Sequence, residues 1–124
     1  MVRDPIRAED EGGIALVGEI PENSVVIILE GDPESLISAA GEAAGQALAR
    51  FREQTGSSGR GALVIDCISR VLYLGSDIDR ELRTIRSNIP PDLPLFGFLS
   101  LGEIASAGDR YLEFYNKTTV VGIG

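Results

Sequence analysis

Residues 24–30, Ser-Val-Val-Ile-Ile-Leu-Glu, place a β-branched or apolar side chain at every interior position, and the four residues after them bring the run to an end. A run without polar alternation reads as a strand covered on both faces, and so as a central one. Gly31-Asp32-Pro33-Glu34 then reads as a helix start. The Asp32 side chain can take the free amide groups of the first turn, Pro33 suits the first helical position, and Glu34 complements the dipole. A buried strand feeding a capped helix commits the chain to a helix packed on a sheet.

The helix is expected to run to about Gln54. Leu36, Ala40, Ala44, Ala47, Leu48 and Phe51 recur at spacings of three and four and form one apolar stripe. Gly41 and Gly45, four apart in the same helix, point to close packing onto a sheet, with contact to a partner helix as the alternative. Thr55 to Gly61 is a flexible connection, and Ala62 to Ile68 is a second buried-type strand. Ser69 to Gly75 reads either as a loop or as a short turn of helix. Ser76 is expected to cap a second helix with Ile78, Leu82, Ile85 and Ile89 on its apolar face, ended by Pro90 and Pro91. Upstream, Gly13 to Glu19 alternates like a strand. Downstream, Leu95–Leu101, Tyr111–Tyr115 and Thr118–Ile123 read as three more.

The expected fold is therefore α+β in the order β-β-α-β-α-β-β-β. It has a single five- or six-stranded, mainly antiparallel sheet with two helices packed on one face. Residues 1–124 form one domain, with 1–12 as a charged lead-in segment. Of the 124 residues, 44% are apolar, enough for a packed core.

Charge excludes several classes of function. The formal net charge is −8 and Lys117 is the one lysine, so the chain has no basic stripe for nucleic acid and would be repelled by anionic membrane surfaces. A single cysteine, Cys67, allows no internal disulfide and fits a reducing compartment. No apolar run approaches the roughly 18 residues of a membrane span, and no secretory signal stands at the start. The expected location is cytoplasmic.

Catalysis is not expected either. The chain contains no histidine, the usual base for a cysteine nucleophile, and Asp66 beside Cys67 would raise the thiol pKa. The usual donors for zinc, copper and haem are missing as well, so no cofactor is expected. Asp77, Asp79 and Glu81 are explained by the first turn of a helix and need no metal.

Two segments stand out. Asp66-Cys67-Ile68-Ser69-Arg70 ends an apolar strand in an acid, a thiol and a guanidinium. Gly97 to Ile104 ends another in glycines, Ser100 and Glu103. A buried Glu103 needs a partner, and Arg70 is a natural one because guanidinium holds a carboxylate through two hydrogen bonds. Two readings follow. In one, Arg70 and Glu103 form a bridge between strand ends. In the other, they line a pocket where Arg70 receives a ligand carboxylate and Glu103 or Asp66 faces an amino group.

Together these segments resemble the FIST C-terminal domain family. Cys67-Ile68-Ser69-Arg70 is similar to its C-x-G-R element, and Pro94-Leu95-Phe96-Gly97-Phe98 to its P-L-x-G-F. Gly102-Glu103-Ile104 matches G-E-I, and Asn116-Lys117-Thr118 precedes the closing strand. Gly31-Asp32-Pro33 before the long helix also fits. Ser69 stands at the glycine position, and Tyr115 where members often have histidine, so any role of that histidine, haem contact included, is not carried over. The resemblance implies a non-enzymatic intracellular sensory domain for a small ligand such as an amino acid. Such a domain is often joined to a FIST N-terminal domain or a signalling output domain. The expected ligand-binding residues are Cys67, Arg70, Phe98, Ser100, Glu103 and Asn116. The alternative is a protein-interaction or self-association module, a homodimer with no small ligand.

Overall fold

A computed structural model describes residues 2–106 and 111–124. The chain opens with an antiparallel hairpin, β1 (Pro5–Ala8) and β2 (Ile14–Leu16). The long helix α1 (Pro33–Thr55) begins where its sequence says it should. The Asp32 side chain accepts from the Ser35 amide at 3.0 Å and Pro33 occupies the first turn. Gly56 ends the helix with φ of +69°, and its amide donates to the Arg52 carbonyl at 2.8 Å, a left-handed cap that favours glycine.

Then come β3 (Ala62–Cys67), α2 (Ile68–Leu74), one tight turn at Gly75–Asp77, and α3 (Ile78–Ser87). Four strands close the chain: β4 (Leu95–Ser100), β5 (Glu103–Ala105), β6 (Glu113–Tyr115) and β7 (Thr119–Ile123). β3 is central, parallel to β4 and antiparallel to β7. The β3–β4 pair is parallel because the chain between them crosses one face through α2 and α3. Ala40 and Ala44 of α1, Ala62 and Val64 of β3, and Ile85, Ile89 and Leu93 form the core, so α1 and α3 cover the same face of the sheet.

The α+β class and the two helices on one face stand, but the single sheet does not. The strands form three sheets, β4-β3-β7, β1-β2 and β5-β6. The two small sheets join strands of three or four residues close in sequence, and among the described residues no ladder ties them to the central one.

Ser24–Glu30 is not a strand either. Every one of its residues is exposed, Val25 by 95% and Ile28 by 97%. β-propensity is realised only against a neighbouring strand, and none of the described strands pairs with this segment. Ser69–Gly75, the stretch that read as loop or helix turn, is mostly α2. The expected Ser76 cap is absent, since α3 continues from the preceding turn and Asp77, the residue before it, makes no side-chain cap. The buried side of α1 also turns slightly, to Ile37, Ala40, Gly41, Ala44 and Leu48, leaving Ala47 and Phe51 half-buried.

Gly41 sets the distance between the two helices. A Cβ there would lie 2.6 Å from Thr84 Cγ2 and 2.9 Å from Asn88 Nδ2, whereas one at Gly45 would meet nothing closer than 3.7 Å. Gly41→Ala should therefore lower stability by about 1–2 kcal/mol, the overpacking cost outweighing the gain in helix propensity. Gly45→Ala should raise it by about 0.5–1 kcal/mol. Urea unfolding midpoints of the two variants test the contrast.

Candidate functional site

Two polar clusters lie side by side where β3 and β4 end. The first lies under the helices. Arg70, in the first turn of α2, is 3% exposed, and its Nε lies 3.2 Å from Glu81 Oε1 and 3.3 Å from Asp66 Oδ1. Its Nη2 donates to Glu81 Oε2 and, at 2.9 Å, to the Leu36 carbonyl. Nη1 donates to the Lys117 carbonyl at 3.3 Å. One guanidinium thus ties α1, α2, α3 and the β6–β7 turn together.

Asp66 also accepts from the Thr119 hydroxyl at 2.8 Å across the β3–β7 ladder. Two buried carboxylates share one cation here. Burial pushes the Asp66 carboxyl up to about 6, with Glu81 adding to the rise and the Thr119 hydrogen bond and Arg70 opposing it.

The second cluster surrounds Glu103, at the start of β5 and 2% exposed. Its Oε1 lies 2.5 Å from the Ser100 hydroxyl at the end of β4, and its Oε2 accepts from the Thr118 hydroxyl at 2.6 Å. The Ser100 hydroxyl is also 3.3 Å from the Asp66 carbonyl, which joins the two clusters. Asn116, 1% exposed, donates from Nδ2 to the Leu101 carbonyl at 3.4 Å, and its Oδ1 has no donor among the described residues. Gly102 lets the chain turn between them, because a Cβ there would press on the Phe114 ring and come within 3.2 Å of Asn116 Nδ2. Among the described residues no cation pairs with Glu103.

Cys67 is 1% exposed, closes β3 opposite Ser100, and has its Sγ 3.2 Å from the Ser69 hydroxyl. Phe98 is 51% exposed, opposite Ile65 on β4. Five of the six expected residues thus gather at the strand ends, while Phe98 lies back along the open face of the sheet. The expected Arg70–Glu103 bridge is replaced by two separate sets of partners. Arg70 takes Asp66 and Glu81 because α3 delivers Glu81 directly beneath it, and Glu103 is held by hydroxyls.

With the strand-end elements in place, a comparison with protein-family models matches the FIST C domain over residues 1–106. The chain belongs to the FIST C domain family. That family is one of signal-transduction sensory domains. Of the six residues, all but Asn116 fall inside the matched span of this FIST C domain. Searches of curated proteins and of solved structures found no match. No helix among the described residues is long and apolar enough to cross a membrane.

Sequence reasoning missed Glu81, Thr118 and Thr119. Glu81 sits three residues after Ile78 and four before Ile85, on the stripe that packs inward, and that spacing was the available signal. The two threonines follow the Asn116-Lys117 turn and carry hydroxyls to the carboxylates on either side of the β3 end.

Proposed function

We propose that this FIST C domain is a non-catalytic sensory module whose small ligand carries an ammonium group, an amino acid being the simplest case. The observation that carries this reading is Glu103, a fully buried carboxylate met by two hydroxyls and by no cation among the described residues. Beside it Asn116 Oδ1 lacks a donor among the same residues. A buried charge without a counter-charge is costly, and an N–H-bearing cation relieves both shortages at once. Cys67 lies opposite Ser100 at the end of β3, and Phe98 stands two residues back along β4. Arg70, its N–H groups committed to Glu81 and two carbonyls, holds the wall from behind. A ligand carboxylate would meet it only by displacing Glu81, so recognition rests on the ammonium end. Signal output then passes to a FIST N-terminal or output domain on the same or another chain.

Titration calorimetry against the amino acids, simple amines and amine-free carboxylates tests the reading. Ligands with an ammonium group should bind, and amine-free acids should not. Saturation at one hundred times Kd should add about 2.7 kcal/mol of stability. Glu103→Gln should weaken binding at least tenfold while the variant stays folded. A panel in which no ammonium compound binds, or a Glu103→Gln variant of unchanged affinity, would refute it.

A further inference from the structure

Among the described residues no strand pairs with the outer edge of β7, and Ser24–Glu30 pairs with no strand. β7 ends the β4-β3-β7 sheet. Next to it a groove of about 540 Å³ runs between α1, β7 and the end of β5, lined by Ala47, Phe51, Ala105, Ser106, Val121 and Ile123 among others. Ala47 and Phe51 belong to the apolar stripe of α1, yet they are only half-buried where they line this groove. Meanwhile Ser24–Glu30 stands exposed, with Val26, Ile27 and Leu29 at 64%, 81% and 68%.

The hand of chain crossovers connects the two. The β3–α3–β4 passage and α1 lie on the same face of the sheet. A strand preceding α1 and parallel to β3 must, with right-handed crossovers, lie on the side of β3 away from β4. That side is the β7 side, and α1 packs over β7. The strand would run antiparallel to β7, the orientation that β7 already has with β3. Its seven residues are enough to span the five of β7.

We infer that the β7 edge receives Ser24–Glu30 from a second copy of this chain, each copy filling the other's groove. The segment is swung out of its own seat. It is joined to α1 only through Gly31 and Asp32, with the Gly31 carbonyl held by the Tyr73 hydroxyl at 2.6 Å and Asp32 fixed as the helix cap. Exchange of an identical element uses the contacts its own seat offers, so it is a low-cost route to a dimer. It also removes an exposed apolar strand and an open sheet edge at once.

Sedimentation of the full chain at about 100 µM, with amide hydrogen exchange, decides the matter. A dimer with amides 25–29 protected is expected. Ile27→Pro on the strand, and separately Ala47→Glu in the groove, should each raise the dimer dissociation constant at least a hundredfold with the far-ultraviolet spectrum of the body retained. A monomer, whether its strand is protected or not, overturns the inference. So does a dimer in which amides 25–29 exchange freely, and so does a dimer that survives either substitution.

Discussion

Arg70→Ala should destabilise the domain by about 3–5 kcal/mol, enough to unfold much of a marginally stable chain of this size. The guanidinium is 3% exposed and the two carboxylates it serves, Asp66 and Glu81, are 3% and 0% exposed. Its removal leaves both acids in the interior without a counter-charge, and also strips donors from the Leu36 and Lys117 carbonyls. The loss should appear as a shifted urea midpoint, or as a chain unfolded without denaturant. The companion test is Arg70→Met combined with Glu81→Leu. Removing cation and anion together trades the ion pair for apolar packing, so the double variant should be more stable than Arg70→Ala alone. Equal losses in the two would show that the carboxylates are not what Arg70 neutralises. Arg70 is then chiefly a brace between three helices and a turn, and the ammonium-reading role proposed for Glu103 does not depend on it.

The sequence makes local events legible and distant ones much less so. Asp32, Pro33 and Gly56 define both ends of α1, because caps and left-handed turns are decided within a few residues. The β3 strand and the gathering of Cys67, Arg70, Ser100, Glu103 and Asn116 were readable from strand ends carrying polar residues after apolar runs. The partner of Arg70 was not. Glu103 and Glu81 both offer a carboxylate, and the choice is made by the rotation of α3, which turns Leu82 outward and Glu81 inward. Periodicity fixes such a rotation only to within about one residue. Ser24–Glu30 shows the other boundary. Its composition declares a strand, but a strand exists only when an edge accepts it, and composition says nothing about which edge that is. The division into three sheets has the same origin, since the register of short strands depends on contacts far away in sequence.

Asp66→Asn should stabilise the domain at pH 7.5, and the advantage should fade as the pH falls. Asp66 titrates near 6 in the folded chain against an ordinary value of 3.8, so the folded state binds this proton more tightly than the unfolded state does. Its contribution to stability is therefore fully present below pH 3.8 and is lost as pH rises through about 6. A shift of this size amounts to at most about 3 kcal/mol between the two limits. Asparagine mimics the protonated side chain. It keeps an oxygen for the Thr119 hydroxyl and for Arg70, and presents N–H donors toward Glu81 where the carboxylate presents a second negative charge. Thermal unfolding of both proteins from pH 4.5 to pH 8 follows the effect, because groups remote from Asp66 are common to the two and cancel in the difference. The variant should lead at pH 8, and the gap should close across the window from about 6 down to 4.5. A gap that stays constant with pH would mean that Asp66 carries its charge in the folded chain as easily as in water. A variant less stable at every pH would mean that the Arg70–Asp66 attraction outweighs the repulsion from Glu81.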